Sequence, residues 1–155
     1  MNKIQMYQFN PSNSTILCEI MKRNKSDKGS EDYMNNWHNY TTFYDMIFKH
    51  LRYKDIRLFE LGLGSNNINI ISNMGKDGRP CASLYGWCEY FPFAQIYGAD
   101  IDKDILSNNN RFKTYYCDQT NPDDINNMWN IDELKDNFDI IIDDGYHNFE
   151  ANLCF

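Results

Sequence analysis

The sequence predicts an α/β fold, a Rossmann-like, mainly parallel sheet with helices on both faces. Three observations carry this. Short apolar runs at residues 56–61, 95–100, 112–117 and 138–143 alternate with helical patterns, the signature of βαβ units. The first run closes on the glycine turn Gly62-Leu63-Gly64. Finally, Glu60, Gly62, Asp100, Asp118, Asp143 and His147 all fall at or just past the ends of these runs. Right-handed crossovers bring such ends to one edge, where open α/β sheets take ligands.

Taken in order, residues 1–35 are polar and turn-rich and read as an N-terminal arm with one short helix around 15–23; residues 36–155 read as the Rossmann-like domain. Phe43, Ile47, Phe48 and Leu51 recur at helical spacing, which predicts an amphipathic helix over 40–52. The strand at 56–61 is followed by an Asn- and Gly-rich loop, 65–80, and a helix over 81–90 with Leu84, Trp87 and Cys88 on one side. A strand at 95–100, a short helix at 102–109 and a strand at 112–117 come next. Pro122 opens a helix over 122–129, where its missing N–H costs little. The strand at 138–143 then leads into the start of another helix.

At 155 residues and 42% hydrophobic content the chain is one folded domain with a core of its own. Its net charge of -7 argues against a nucleic-acid binder, which needs a basic surface against phosphates. Cys18, Cys81, Cys88, Cys117 and Cys154 form no Cys-x-x-Cys pair and leave an odd thiol, which fits reduced cysteines in a cytoplasmic protein and gives no zinc spacing. There is no signal pattern and no apolar run of membrane-spanning length.

The strand ends carry the chemistry. Gly62 and Gly64 permit a tight turn with backbone amides open to a ligand, although the third glycine of the dinucleotide fingerprint is absent. Asp100 is placed to accept from ribose hydroxyls, with Asp102 as the helix N-cap alternative. Asp118 and Gln119 offer an acceptor and an amide suited to adenine, or else a turn before Pro122. Asp143 and Asp144 are adjacent carboxylates that repel unless a cation or a proton lies between them, and a hard ion such as Mg2+ meets that need. His147 lies within reach as a general base. The plainer alternative makes Asp144-Gly145 a turn and His147 a helix-start residue. Lys28 or His38 can neutralise a carboxylate, and Tyr40 and Tyr44 can wall a pocket; taken alone, these are loop residues and helix packing.

These pieces, in this order, resemble the class I S-adenosylmethionine-dependent methyltransferases, and within them the macrocin- and mycinamicin-type sugar O-methyltransferases. The matching stretches are Asp27-Lys28-Gly29, His38-Asn39-Tyr40, Glu60-Leu61-Gly62-Leu63-Gly64, Gly98-Ala99-Asp100-Ile101-Asp102, Cys117-Asp118-Gln119 and 138–147. The resemblance implies that Glu60, Gly62 and Gly64 hold the methionine side of the cofactor, Asp100 the ribose and Asp118 the adenine, with Lys28, Tyr40 and Gln119 beside them. It further implies Asp143 and Asp144 as Mg2+ ligands and His147 as base, acting on a sugar or other small hydroxylated metabolite. A seven-stranded domain of that class continues well past a fourth strand. Residues 138–143 are therefore expected to form an open sheet edge, covered by a second copy in a homo-oligomer or left by truncation. The runner-up reading is a truncated, non-catalytic cofactor-binding or interaction module.

Overall fold

The computed structural model describes residues 10, 12–29 and 39–155. His38 lies outside them, as do residues 1–9 and 30–37 of the stretch before the first strand. Four parallel strands form one sheet in the order β3-β2-β1-β4, with β1 at Arg57–Leu61, β2 at Gln95–Asp100, β3 at Phe112–Tyr116 and β4 at Ile140–Asp143. β1 is central, and the chain reverses its direction of travel across the sheet between β1 and β4. That reversal opens a crevice at the carboxyl ends of those two strands.

The period of two along β1 divides the core into two layers. Leu58 faces a cluster with Ile96, Ile140 and Ile142, covered by α1 (Ile16–Arg23), α2 (Tyr40–Phe48) and α3 (Ala82–Tyr90). Phe59 and Leu61 face the opposite cluster with Tyr97, Ala99, Ile125 and Met128, covered by α4 (Pro122–Trp129) and α5 (Phe149–Cys154). Helices thus cover both faces, as the alternating pattern predicts.

α1 is capped by Thr15, whose hydroxyl accepts from the Cys18 N–H, and its Leu17, Ile20 and Met21 are buried in the core, where α1 packs on α2 and α3. The polar stretch read as an arm therefore contributes a full helix to the core. The helix expected over 40–52 ends at Phe48 and tightens into a 3-10 turn at Lys49–Leu51. The helix expected over 102–109 is not formed. Only a 3-10 turn at Lys103–Ile105 exists, capped by Asp102, and Leu106 leaves it extended. Asn108 and Asn109 instead spend their side chains on β3, accepting from the N–H groups of Thr114, Arg111 and Phe112. Asparagine competes with helix in this way.

β4 pairs with β1 alone and is an edge strand. Ile141 on its outer side is 53% exposed, with Phe149 (78%) and Leu153 (70%) of α5 also open. Among the described residues no helix is long and apolar enough to cross a membrane.

Candidate active site

The pocket grows out of the β1–β4 crevice. Gly62 has φ +86, and a Cβ there would lie 2.3 Å from the Asp144 carbonyl oxygen and 2.6 Å from the Gly145 Cα. Glycine is thus required both by the turn and by the contact with the β4 loop. The Gly62 N–H donates to the Ala99 carbonyl (2.9 Å) and the Asp144 N–H to the Leu61 carbonyl (2.8 Å), so the exits of β2, β1 and β4 are tied together. Beyond this turn lies a cavity of about 330 Å³, within the size range of small-molecule sites. Gly62, Gly64, Asp100, Asp118, Gln119 and Asp144 line it, so six of the residues singled out from the sequence share one wall.

Asp100 is nearly buried and accepts from two backbone groups, Leu63 N–H (2.7 Å) and Asp102 N–H (2.8 Å). Burial pushes its carboxyl up, while those N–H groups oppose the shift. Asp102 takes the alternative role, capping the 3-10 turn and accepting from Ser65. Asp118 makes the turn foreseen for it, accepting from the N–H (2.9 Å) and hydroxyl (2.7 Å) of Thr120, and still borders the cavity. The Gln119 side chain is committed inward. Its amide donates to both Asp143 oxygens at 3.1 Å, and its carbonyl accepts from Tyr146 N–H at 2.8 Å.

Glu60 and Lys28 lie beneath the cavity rather than on its wall. Glu60 is fully buried on the α3 side of β1, where Trp87 Nε1 donates to its Oε2 at 2.7 Å. Lys28 Nζ sits 2.7 Å from Glu60 Oε1 and also contacts Asp144 Oδ2. Burial works to lower the Lys28 pKa, but Glu60, Asp144 and Asp27 outweigh it and raise it above lysine's ordinary value. Burial pushes the Glu60 carboxyl up against the pull of Lys28. With two carboxylates facing one nitrogen, the proton stays on Nζ and Lys28 is an ammonium.

The adjacent carboxylates therefore diverge, Asp144 toward Lys28 and Asp143 toward Gln119 and the Gly145 N–H (3.2 Å). Among the described residues no group of three or more His, Cys, Asp or Glu side chains could hold a metal ion. As arranged, Asp143 and Asp144 each have a protein partner. His147 is exposed, borders no part of the cavity and directly precedes Asn148, the N-cap of α5. Tyr40, at the start of α2, has its ring tilted by 43° against that of Tyr44 at 6.2 Å and is likewise off the wall.

Other lining residues have no equivalent in the sequence reading. Residues 69–72 and Met74 fold back over the cavity, with Met74 packed on Gly64. The Met74 N–H donates to the Ser65 carbonyl (2.8 Å), and the Asn66 amide donates to the Gly78 carbonyl at 2.9 Å. The signal was the density of asparagines in 66–73, whose amides stitch the loop. Ser26, Arg79 and Ser83 also line the cavity, beside Asp27 of the Asp27-Lys28-Gly29 stretch.

Comparison with known proteins matches this geometry to one group of enzymes. No family model matches the chain. It is 32% identical over 131 residues to 8-demethyl-8-(2-methoxy-alpha-L-rhamnosyl)-tetracenomycin-C 3'-O-methyltransferase of Streptomyces olivaceus, covering 84% of this chain and 30% of that protein. Against mycinamicin VI 2''-O-methyltransferase of Micromonospora griseorubida it is 32% identical over 110 residues, covering 71% of this chain and 25% of the relative. The fold superposes on MycE methyltransferase in complex with Mg, SAH and mycinamycin VI with a TM-score of 0.68 at 26% identity, covering 92% of this chain and 35% of MycE. The chain thus spans about a third of the length of the relatives it matches. It is a relative of the macrocin- and mycinamicin-type sugar O-methyltransferases, within the class I S-adenosylmethionine-dependent methyltransferases.

Proposed function

We propose that the chain binds S-adenosylmethionine at the β1–β4 crevice and serves methyl transfer to a hydroxyl of a sugar or other small hydroxylated metabolite. The observation that carries this is the placement of Asp100, the Gly62 turn and the Asp144 loop around one cavity at a topological switch point. Asp100, its geometry set by two backbone N–H groups, would accept from the ribose hydroxyls, and Asp118 would face the adenine edge. Glu60, Lys28 and Gln119 would act from below by holding the wall in shape, with Gly62 and Gly64 toward the methionine end.

In the reaction the acceptor oxygen attacks the methyl carbon in line with the sulfonium sulfur. The C–S bond pair returns to sulfur to leave a thioether, and the hydroxyl proton passes to a base. Positioning supplies much of such catalysis. His147, exposed beside the cavity-lining Tyr146, is the base proposed for an acceptor arriving from solvent. With both carboxylates of the Asp143-Asp144 pair already partnered, their part in this reading is to hold the wall. Five free thiols support a reducing, cytoplasmic setting, and the apolar β4 edge supports pairing with a second copy.

The exposure of His147 favours a second reading, a cofactor-binding unit without turnover. Transfer of labelled methyl groups to a panel of glycosylated hydroxyl compounds separates the two. Catalysis is expected, with His147→Ala slowing it by about 10²-fold or more and leaving cofactor affinity intact. Cofactor binding without any methylation would favour the binding unit.

A further inference from the structure

We propose that Gln119 is a positioning residue for methyl transfer: it bridges the exits of the two edge strands, β3 and β4, and so ties the loop that leads to His147 to the nucleoside end of the pocket. The choice of ligand rests on the function proposed above; the bridge itself does not.

In the strand order β3-β2-β1-β4, Gln119 follows one edge strand and its partners lie at the end of the other. Neighbouring strands lie about 4.8 Å apart, so the segment and its side chain span roughly 14 Å of sheet. The crossing starts at Cys117, whose N–H donates to the Asp100 carbonyl of β2 (3.0 Å). Asp118 and Thr120, on either side of Gln119, border the cavity, and Gln119 itself is only 6% exposed. Its amide donates to Asp143 and its carbonyl accepts from the Tyr146 N–H, while a Cβ on Gly145 between them would run into the Gln119 carbonyl oxygen. This fit needs a donor and an acceptor on one side-chain end; glutamate offers acceptors alone, and leucine neither. The loop has little else to hold it, because β4 pairs with β1 alone and no strand follows on its outer side among the described residues. The Tyr146 carbonyl accepts from the Asn148 N–H (3.0 Å), and Asn148 caps α5. His147 therefore sits between a residue fixed by Gln119 and one fixed by its helix. A nucleoside seated against Asp118 and Thr120 bears on the same segment that holds Tyr146, so its binding and the order of the loop are coupled.

Hydrogen exchange on the intact 155-residue chain tests this, in Mg2+ buffer with and without saturating S-adenosylhomocysteine. Residues 143–148 are the reporter and β1 is the reference. Gln119→Glu keeps the volume and the acceptor, removes the donor and turns a carboxylate toward Asp143. Gln119→Glu/Asp143→Asn restores the pair with donor and acceptor swapped. Without ligand, residues 143–148 are expected to exchange about tenfold faster in Gln119→Glu than in the wild type, with β1 unchanged, and to return to the wild-type rate in the swapped pair. S-adenosylhomocysteine should slow the same residues by about threefold or more in the wild type and the swapped pair, and not in Gln119→Glu.

Wild-type exchange at 143–148 in Gln119→Glu overturns the bridge, and so does a swapped pair whose loop stays fast. Equal slowing by S-adenosylhomocysteine in all three proteins overturns the coupling and leaves Gln119 a purely structural residue. Should Gln119→Glu unfold, the swapped pair decides alone: a folded protein with wild-type loop exchange supports the bridge, and one that unfolds as well overturns it. A folded wild type that binds no S-adenosylhomocysteine overturns the cofactor reading, while the comparison without ligand still judges the bridge.

Discussion

Replacing Gly62 with alanine puts the central contact of the site under direct load. The new Cβ would lie 2.3 Å from the Asp144 carbonyl oxygen, 2.5 Å from its carbon and 2.6 Å from Gly145 Cα. Ordinary contact begins at 3.4 Å, so the nearest atom must retreat by about 1 Å (3.4 − 2.3). All three obstacles are backbone, and no side-chain rotation relieves them. Overpacking of this kind costs about 1–3 kcal/mol, and a left-handed φ of +86 adds about 1–2 kcal/mol for a residue with a Cβ. The sum is roughly 2–5 kcal/mol, or a melting temperature lower by roughly 5–20 °C for a domain of this size. Gly75 is the internal control, because it has φ +70 and nothing within 4 Å of an added methyl. Gly75→Ala should therefore cost only the backbone share, about 1–2 kcal/mol. Thermal melts of the two variants, followed by circular dichroism, with S-adenosylmethionine titrated into each, decide the matter. Gly62→Ala should be the less stable and should lose cofactor binding. Equal melting temperatures with cofactor binding retained would refute the claim that the Gly62–Asp144 contact shapes the site.

Three further perturbations have definite outcomes. Trp87→Phe removes the donor 2.7 Å from buried Glu60 Oε2 and should cost about 1–3 kcal/mol in urea denaturation; an unmoved midpoint would show that this bond is worth nothing. Burial pushes the Cys81 and Cys117 thiols up to about 12, whereas unfolded cysteine titrates near about 8.5. Each stays protonated in the fold while the unfolded chain ionises, so their contribution is complete below pH ~8.5 and lost as pH rises toward ~12, by up to about 2 kcal/mol each at pH ~10. Stability that falls from pH ~8.5 upward, with the fall shallower in Cys117→Ala, is expected; the same slope in both would contradict it. Ile141→Lys places a charge on the open β4 edge, where the side chain is 53% exposed. If the proposed pairing with a second copy uses this edge, the substitution should abolish self-association in analytical ultracentrifugation with little change in melting temperature, and a wild type that sediments as a monomer, or unchanged association, would contradict that pairing.

All four strands were legible in the sequence because each is a short apolar run bounded by turn residues, and their order left β4 at an edge as expected. Six of the residues singled out from the sequence line one cavity for the same reason, since strand ends in a parallel sheet converge. What escaped lay in long-range pairing. Nothing local in Ile16–Arg23 says that it will pack on α3, and only the buried Leu17, Ile20 and Met21 reveal it. Asp143 and Asp144 read as a pair in need of a cation, and spacing alone did not reveal their contacts with Gln119 and Lys28, 24 and 116 positions away. The 102–109 stretch has a helical cap in Asp102 but spends its asparagines on β3, a competition that spacing does not expose.

The most direct measurement is a calorimetric titration of S-adenosylmethionine into the folded 155-residue chain, with an NADH control. Saturable binding at one per chain, in the micromolar range (~10⁻⁶ M, about -8 kcal/mol) and absent for NADH, is the expected result. No heat from protein whose circular dichroism shows a cooperative fold would contradict the cofactor site at the β1–β4 crevice.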